Sequence, residues 1–174
     1  MMRYRKAGNE AAGGLIVPFA PMQYRKRSTM KRINYITKEN FNKYGIIIDF
    51  TGRPDNPSFE IIVKNEEDPW RIAMLRVEDR EFTFLEKHPA SLETFEPVEG
   101  VSLLLVSLET EPDEFEYFIL DRPVCLNHGV WHSIITLTEV SKIKITENLE
   151  VDTDYYNLNE PLELFAASHK KSAL

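Results

Sequence analysis

The residues best suited to chemistry fall in two short stretches. The first is Glu86-Lys87-His88, then four residues, Glu93, six residues and Gly100. The second is Asn127-His128-Gly129-Val130-Trp131-His132. Glu86 and His88 are two apart on a predicted strand, so both side chains leave the same face. His132 opens another predicted strand, behind a glycine that can supply positive φ in the turn. Imidazoles and carboxylates from different strands converge only if they point inward near one end of a small barrel. A set of this kind, with no thiolate, suits borderline or harder divalent metals such as Mn, Fe, Co, Ni or Zn. With open positions, the ion would act as a Lewis acid toward an oxygen-rich substrate. His88, Glu93, His132 and Glu86 are therefore the candidate metal ligands. His88, His132 and Glu86 are also the candidate catalytic groups.

Other reactive residues read more plainly. His128 belongs to the exposed turn before its strand, and His169 to a polar stretch near the C-terminus. Glu96 and Glu99 read as solvated turn residues. Lys87 points away from its two neighbours in a regular strand. Phe95 and Trp131 read as core or pocket wall, and Cys125 as a small buried hydrophobe. Arg71, Arg76 and Lys144 are candidates to hold a substrate carboxylate, Arg through its bidentate fork. Nothing in the sequence says which of these three faces inward.

The elements that must position these groups are strands. Short β-branched or aromatic runs recur: "GIIIDF" (45–50), "FEIIV" (59–63), "WRIAMLRV" (70–77), "EFTFLEKH" (81–88), "VSLLLVSL" (101–108), "EFEYFIL" (114–120), "VWHSIITL" (130–137) and "SKIKIT" (141–146). Pro, Gly, Asn or Asp bounds each, and helical periodicity is nearly absent, which predicts an antiparallel sandwich or barrel. "SKIKIT" alternates cleanly, with Ile143 and Ile145 on one face. One short helix is expected where Thr37 caps "KENFNKY", with Gly45 as its left-handed terminator. The stretch "NEPLELFAASHKKSAL" is expected to hold a short helix and then a tail.

The net charge of −7 is unevenly spread. Residues 1–32 carry eight Lys or Arg and one acid, Glu10, leaving thirteen bases and twenty-seven acids in the rest. An acidic body repels phosphate backbones, so no nucleic-acid partner is expected. Residues 1–29 read as a mobile basic extension, 30–160 as the barrel domain and 161–174 as a tail. The single cysteine cannot form an internal disulfide, which makes a reducing cytoplasm the expected compartment. No run of about 18 apolar residues predicts a transmembrane helix.

The two stretches resemble the paired motifs of the cupin superfamily. Its first motif runs H-x-H, three or four residues, E, six residues, G, and its second contains P-x-G-x-x-H. Here Glu86 stands at the first His position and Asn127 at the Pro position. Twenty residues separate Gly100 from Asp121, where the second motif would begin, as in a compact cupin. The resemblance implies an all-β, cupin-type antiparallel barrel, a jelly roll with few short helices. Residues 70–132 also resemble the ureidoglycolate lyase family, at Glu86, His88, Pro89, Phe95, Pro97, Gly100, Val130, Trp131 and His132. Lys87, Glu93, Ser133 and Ile134 replace that family's Arg, Gln, His and Pro. Glu93 restores the carboxylate of the general cupin pattern, which favours a metal.

The second resemblance implies a homodimeric enzyme that splits ureidoglycolate, a small hydroxy acid, into glyoxylate and urea, here with a divalent metal such as Mn, Ni, Fe or Zn. Two alternatives stand beside it. One is a metal-dependent isomerase or epimerase of a sugar or sugar acid, and the other is a non-catalytic ligand-binding cupin.

Overall fold

The computed structural model describes residues 32–52, 58–66 and 68–163. The expectations for residues 1–29 and 164–174 lie outside the described residues. The elements are β1 (Ile33–Tyr35), α1 (Lys38–Phe41), β2 (Gly45–Ile47), β3 (Trp70–Val77), β4 (Glu81–Lys87), β5 (Glu93–Glu99), β6 (Ser102–Ser107), β7 (Glu116–Ile119), β8 (Val124–Leu126), β9 (Trp131–Thr136), β10 (Ser141–Asn148) and β11 (Asp154–Glu163).

Strands β3 to β10 form a jelly roll. One sheet contains β8-β5-β10-β3 and the other β7-β6-β9-β4, all antiparallel. This interleaved order is what two Greek keys produce when a long hairpin is wound into a two-sheet barrel. Three further strands extend the edges: β2 joins β8, β11 joins β4, and β1 pairs in parallel with β7. The described residues form an all-β antiparallel jelly roll with one short helix, the fold class expected from the sequence.

Between the sheets lie Leu104, Val106 and Phe118 from one side, and Val77, Phe95, Val124, Leu126, Ile143 and Ile145 from the other. The turn of α1 closes this core with Phe41 and Tyr44. Phe41 meets Phe118 edge-on at 5.2 Å between ring centroids. Thr37 and Asn40 form a reciprocal capping box that fixes the helix start. The six-stranded sheet is apolar on its outer face as well, through Phe82, Leu85, Leu103, Leu105, Tyr117, Trp131 and Ile135. That two-sided burial explains why "SLLLVS" does not alternate: every residue of β6 is buried.

Several boundaries differ from expectation. "FEIIV" forms no regular strand. Residues 93–99 form strand β5, so Glu96 and Glu99, expected in a turn, are strand residues. They face outward and pair with Lys144 at 2.8 Å and Lys142 at 2.6 Å. β8 and β11 were not anticipated. β11 runs to Glu163, so residues 159–163, the start of the stretch expected to hold a short helix, are strand and pass the expected boundary at 160, and the rest of that stretch lies outside the described residues. Gly45 does not adopt positive φ and does not terminate α1 in the left-handed conformation. It opens β2, where a Cβ would overlap the carbonyl oxygen of Cys125. The glycine is needed for close strand approach.

Gly45→Ala is therefore expected to destabilise the fold by about 1–3 kcal/mol through overpacking against rigid backbone. Urea denaturation would show the midpoint falling at unchanged slope. An unaltered midpoint would show that the β2–β8 pair can spread at no cost.

Candidate functional site

Strand geometry brings the two sequence stretches together. Glu86 on β4 lies directly opposite His132 on β9. Gly129, with φ of 72°, turns the chain so that its N–H donates to the His88 carbonyl at 2.9 Å. Glu93 enters from the other sheet at the head of β5. His88, Glu93 and His132 are buried, and Glu86 is about one-third exposed on its side chain. The four candidate residues thus form one cluster spanning both sheets.

The centre of the cluster is Oε2 of Glu93. It lies 3.2 Å from Nε2 of His88 and 3.0 Å from Nε2 of His132. Glu86 Oε1 is 3.7 Å from the same His132 nitrogen. The opposite ring nitrogens are tied back. His88 Nδ1 is 3.2 Å from the Asp152 carbonyl and 3.2 Å from Thr153 Oγ1, and His132 Nδ1 is 3.0 Å from the Val130 carbonyl. A carbonyl only accepts, so each Nδ1 carries the proton in these bonds. In a neutral ring, Nε2 then presents a lone pair toward Glu93. This is the outer support usual for metal-ligating histidines.

Two atoms of the cluster lack a satisfactory partner. Glu93 Oε2 and His132 Nε2 are buried, and no hydrogen bond of acceptable geometry reaches either. A carboxylate oxygen and an imidazole lone pair that face each other at 3.0 Å repel unless a cation or proton joins them. The donors Glu86, His88 and His132 lie within 4.8 Å of one another, as do His88, Glu93 and Glu147. Mixed imidazole and carboxylate donors at this spacing fit a divalent ion.

Charge effects agree with the geometry. Burial alone would raise the pKa of Glu93, but the adjacent imidazoles, His132 foremost, overcome it and hold the carboxyl at about 2. Burial alone would lower both histidines, but Glu93 outweighs it and raises each. The histidine contribution to stability is therefore full below the ordinary imidazole pKa and fades as pH rises through the raised values. The Glu93 contribution is present above the ordinary carboxyl pKa and is lost as pH falls toward about 2.

The remaining candidates separate cleanly. Lys87 and Trp131 point to the outer face of the six-stranded sheet. The ammonium of Lys87 sits 4.9 Å from the Trp131 ring centroid and 2.7 Å from Glu109, and Trp131 Nε1 donates to the Glu109 carbonyl at 3.1 Å. Phe95 packs edge-on against His132 at 5.5 Å and walls the site. His128 is exposed in the turn before β9. Burial pushes the Cys125 thiol up to about 11, as an inert core residue requires. Lys144 pairs with Glu96 away from the cluster, Arg76 pairs with Glu78 but also lines the cavity beside the cluster, and Arg71 reaches the cluster by bonding Glu147 at 2.9 Å. His169 lies outside the described residues.

Glu147 is the residue that sequence reading missed. It faces inward in line with Ile143 and Ile145, so continuing the alternation of "SKIKIT" by one residue would have found it. Beside the cluster, a cavity of about 160 Å³ opens among Leu75, Val77, Phe84, Glu86, Phe95 and His132.

No protein-family model matches the chain, and no curated protein sequence matches it. Solved structures with some likeness include a sugar 3,4-ketoisomerase from Thermoanaerobacterium thermosaccharolyticum in complex with TDP. It is 17% identical over 51% of this chain and 66% of its own, with a TM-score of 0.41. Oxalate decarboxylase from Bacillus subtilis, with Mn(II) centres, is 14% identical over 53% of this chain and 24% of its own, at 0.41. Vicilin from tomato is 14% identical over 51% and 26%, at 0.40. The chain spans about a quarter of the last two proteins. At this level the strand order and the site, not the likenesses, define the class: a two-sheet jelly roll with a histidine–carboxylate cluster inside it.

Metal ligands must shed protons, so metal competes with the imidazolium forms of His88 and His132. Saturating Mn(II) is expected to raise the melting temperature by several degrees more at about pH 8 than at about pH 5.5. Thermal denaturation at both pH values checks this. Equal shifts would remove the two histidines from the ligand set.

Proposed function

We propose that the chain is a metal-dependent cupin enzyme acting on a small hydroxy acid, with ureidoglycolate cleavage to glyoxylate and urea as the reading to test first. The observation that carries it is the buried Glu93 carboxylate between the Nε2 atoms of His88 and His132, with two orphaned polar atoms. His88, His132 and Glu93 would hold the ion. When bound, it would supply Lewis-acid polarisation of a substrate oxygen.

The chain's own residues account for proton movement and exclusion of water. Glu86 combines partial exposure with a position on the cavity wall beside His132. Its carboxylate is placed to take the hydroxyl proton of the substrate. As the C–O bond becomes a carbonyl, the C–N bond breaks, and the same proton returns from Glu86 to the departing urea nitrogen. The cavity wall mixes apolar Phe84, Phe95, Leu75 and Val77, which limit competing water, with polar Arg76, Asp79 and Ser133. The cavity, about 160 Å³, falls below the lower bound of about 300 Å³ typical of larger ligand pockets. That size favours a small acid over a bulky sugar nucleotide. The resemblance at Glu86, His88, Phe95, Gly100, Trp131 and His132 supports the lyase reading over an isomerase or epimerase built on the same donors.

Incubation of the protein with ureidoglycolate and Mn(II) or Ni(II) should release glyoxylate above the spontaneous rate. Release at the spontaneous rate with either ion overturns the lyase assignment. Glu86→Gln is expected to lower turnover about 10²–10⁴-fold with little change in metal content. Glu93→Gln, which installs the residue of the lyase family, is expected to weaken Mn(II) binding at least about tenfold. Metal analysis after gel filtration would read this directly, and undiminished stoichiometry would show that Glu93 is not a ligand.

A further inference from the structure

We infer that Glu147, a residue outside both sequence motifs, is a further metal donor of this site, held in place by Arg71. The inference rests on the metal-dependent reading above. It begins with the register of the five-stranded sheet. Arg71 on β3 lies opposite Glu147 on β10, and Glu147 lies opposite Glu93 on β5. Directly opposed residues share a face, so the three side chains form one row across the inner surface. The carboxylate of Glu147 lies within 4.8 Å of the ligand atoms of His88 and Glu93. The second observation is independent of this acidic grouping. Glu93 Oε2 and His132 Nε2 are orphaned inside the same cluster, on side chains more than nine-tenths buried.

A purely structural ion pair does not account for Glu147. The neighbouring cross-strand pairs of the same sheet, Lys142–Glu99 and Lys144–Glu96, stand on the outer face with substantial exposure. Glu147 instead is 8% exposed and turned inward. Arg71 bonds its Oε1 through Nε at 2.9 Å, which fixes the carboxylate and turns it beside the ligand atoms of His88 and Glu93. Charge points the same way. Glu86, Glu93 and Glu147 bring three negative charges and Arg71 one positive, so with neutral imidazoles the cluster is matched by one divalent cation. Burial also divides the labour: Glu147 is the enclosed carboxylate suited to ligation, and Glu86 the open one suited to proton transfer. Two carboxylates and two imidazoles make a harder donor set than His88, His132 and Glu93 alone, which favours Mn(II) or Fe(II).

The test uses the full chain and Mn(II) alone. Glu147→Gln should weaken Mn(II) at least about tenfold by calorimetry, the size expected when a metal site loses a supporting carboxylate. Water-proton relaxation should show one additional water on the bound ion, an effect that a merely structural role would not produce. Wild-type affinity within twofold, or an unchanged water count, overturns the assignment of Glu147 and leaves the wider reading intact. If wild-type protein itself takes up no Mn(II), both fall together. Should Glu147→Gln fail to fold, Glu147→Asp carries the test. It keeps the charge toward Arg71 but withdraws the oxygen by one methylene, so the additional water is again expected and its absence is again decisive.

Discussion

A carboxylate buried between two sheets is the constraint on which the rest of this structure depends. Glu93 is 7% exposed and ionised, in a position where an unpaired charge would cost several kcal/mol (~ after relaxation). It is tolerated because His88 and His132 approach it from the opposite sheet. That approach requires β4 and β9 to be neighbours and β5 to face them. The jelly-roll winding places strands so distant in sequence side by side. The apolar filling of Phe95, Val106, Ile143 and Ile145 then keeps the sheets at a spacing that lets the three side chains meet. The core and the site are consequences of one packing arrangement.

Much of this was legible in the sequence, and the reasons differ by element. The tandem of Glu86, His88, Glu93 and Gly100 with Gly129 and His132 was readable because a two-residue period and a glycine turn constrain where side chains point. β3, β9 and β10 were readable from β-branched residues and alternation. β5 was not, because three acids and Pro97 resemble a loop. The structure shows how a central strand accommodates that proline. β8 pairs with β5 only through Glu93 to Phe95, so Pro97 lies beyond it, and the β10 side shifts register beside Pro97. β11 hides in the same way, with Pro161 inside its own register shift at the sheet edge. In both strands a local breaker is overruled by an irregular ladder, which no single-sequence pattern announces.

Gly45 illustrates a different limit. A glycine after a short helix ordinarily means a left-handed terminator, and here it means close contact with the backbone of Cys125. The residue type was informative, but the partner that demands it lies eighty positions away in the chain. Glu147 was missed for a smaller reason. Its strand is two residues longer than its clean alternation, and the site begins in that extension.

The outer face of β4 and β9 carries one more consequence. Lys87 immediately precedes His88, and Trp131 immediately precedes His132. Strand alternation sends the first pair outward as His88 and His132 turn inward. The Lys87–Trp131–Glu109 contact therefore acts as a clasp behind the two imidazoles. It restricts sliding between the strands, so the two imidazoles hold their places with less conformational freedom. A clasp of this kind asks for a positive charge on an indole face with an acid beside it, a demand that lysine meets here.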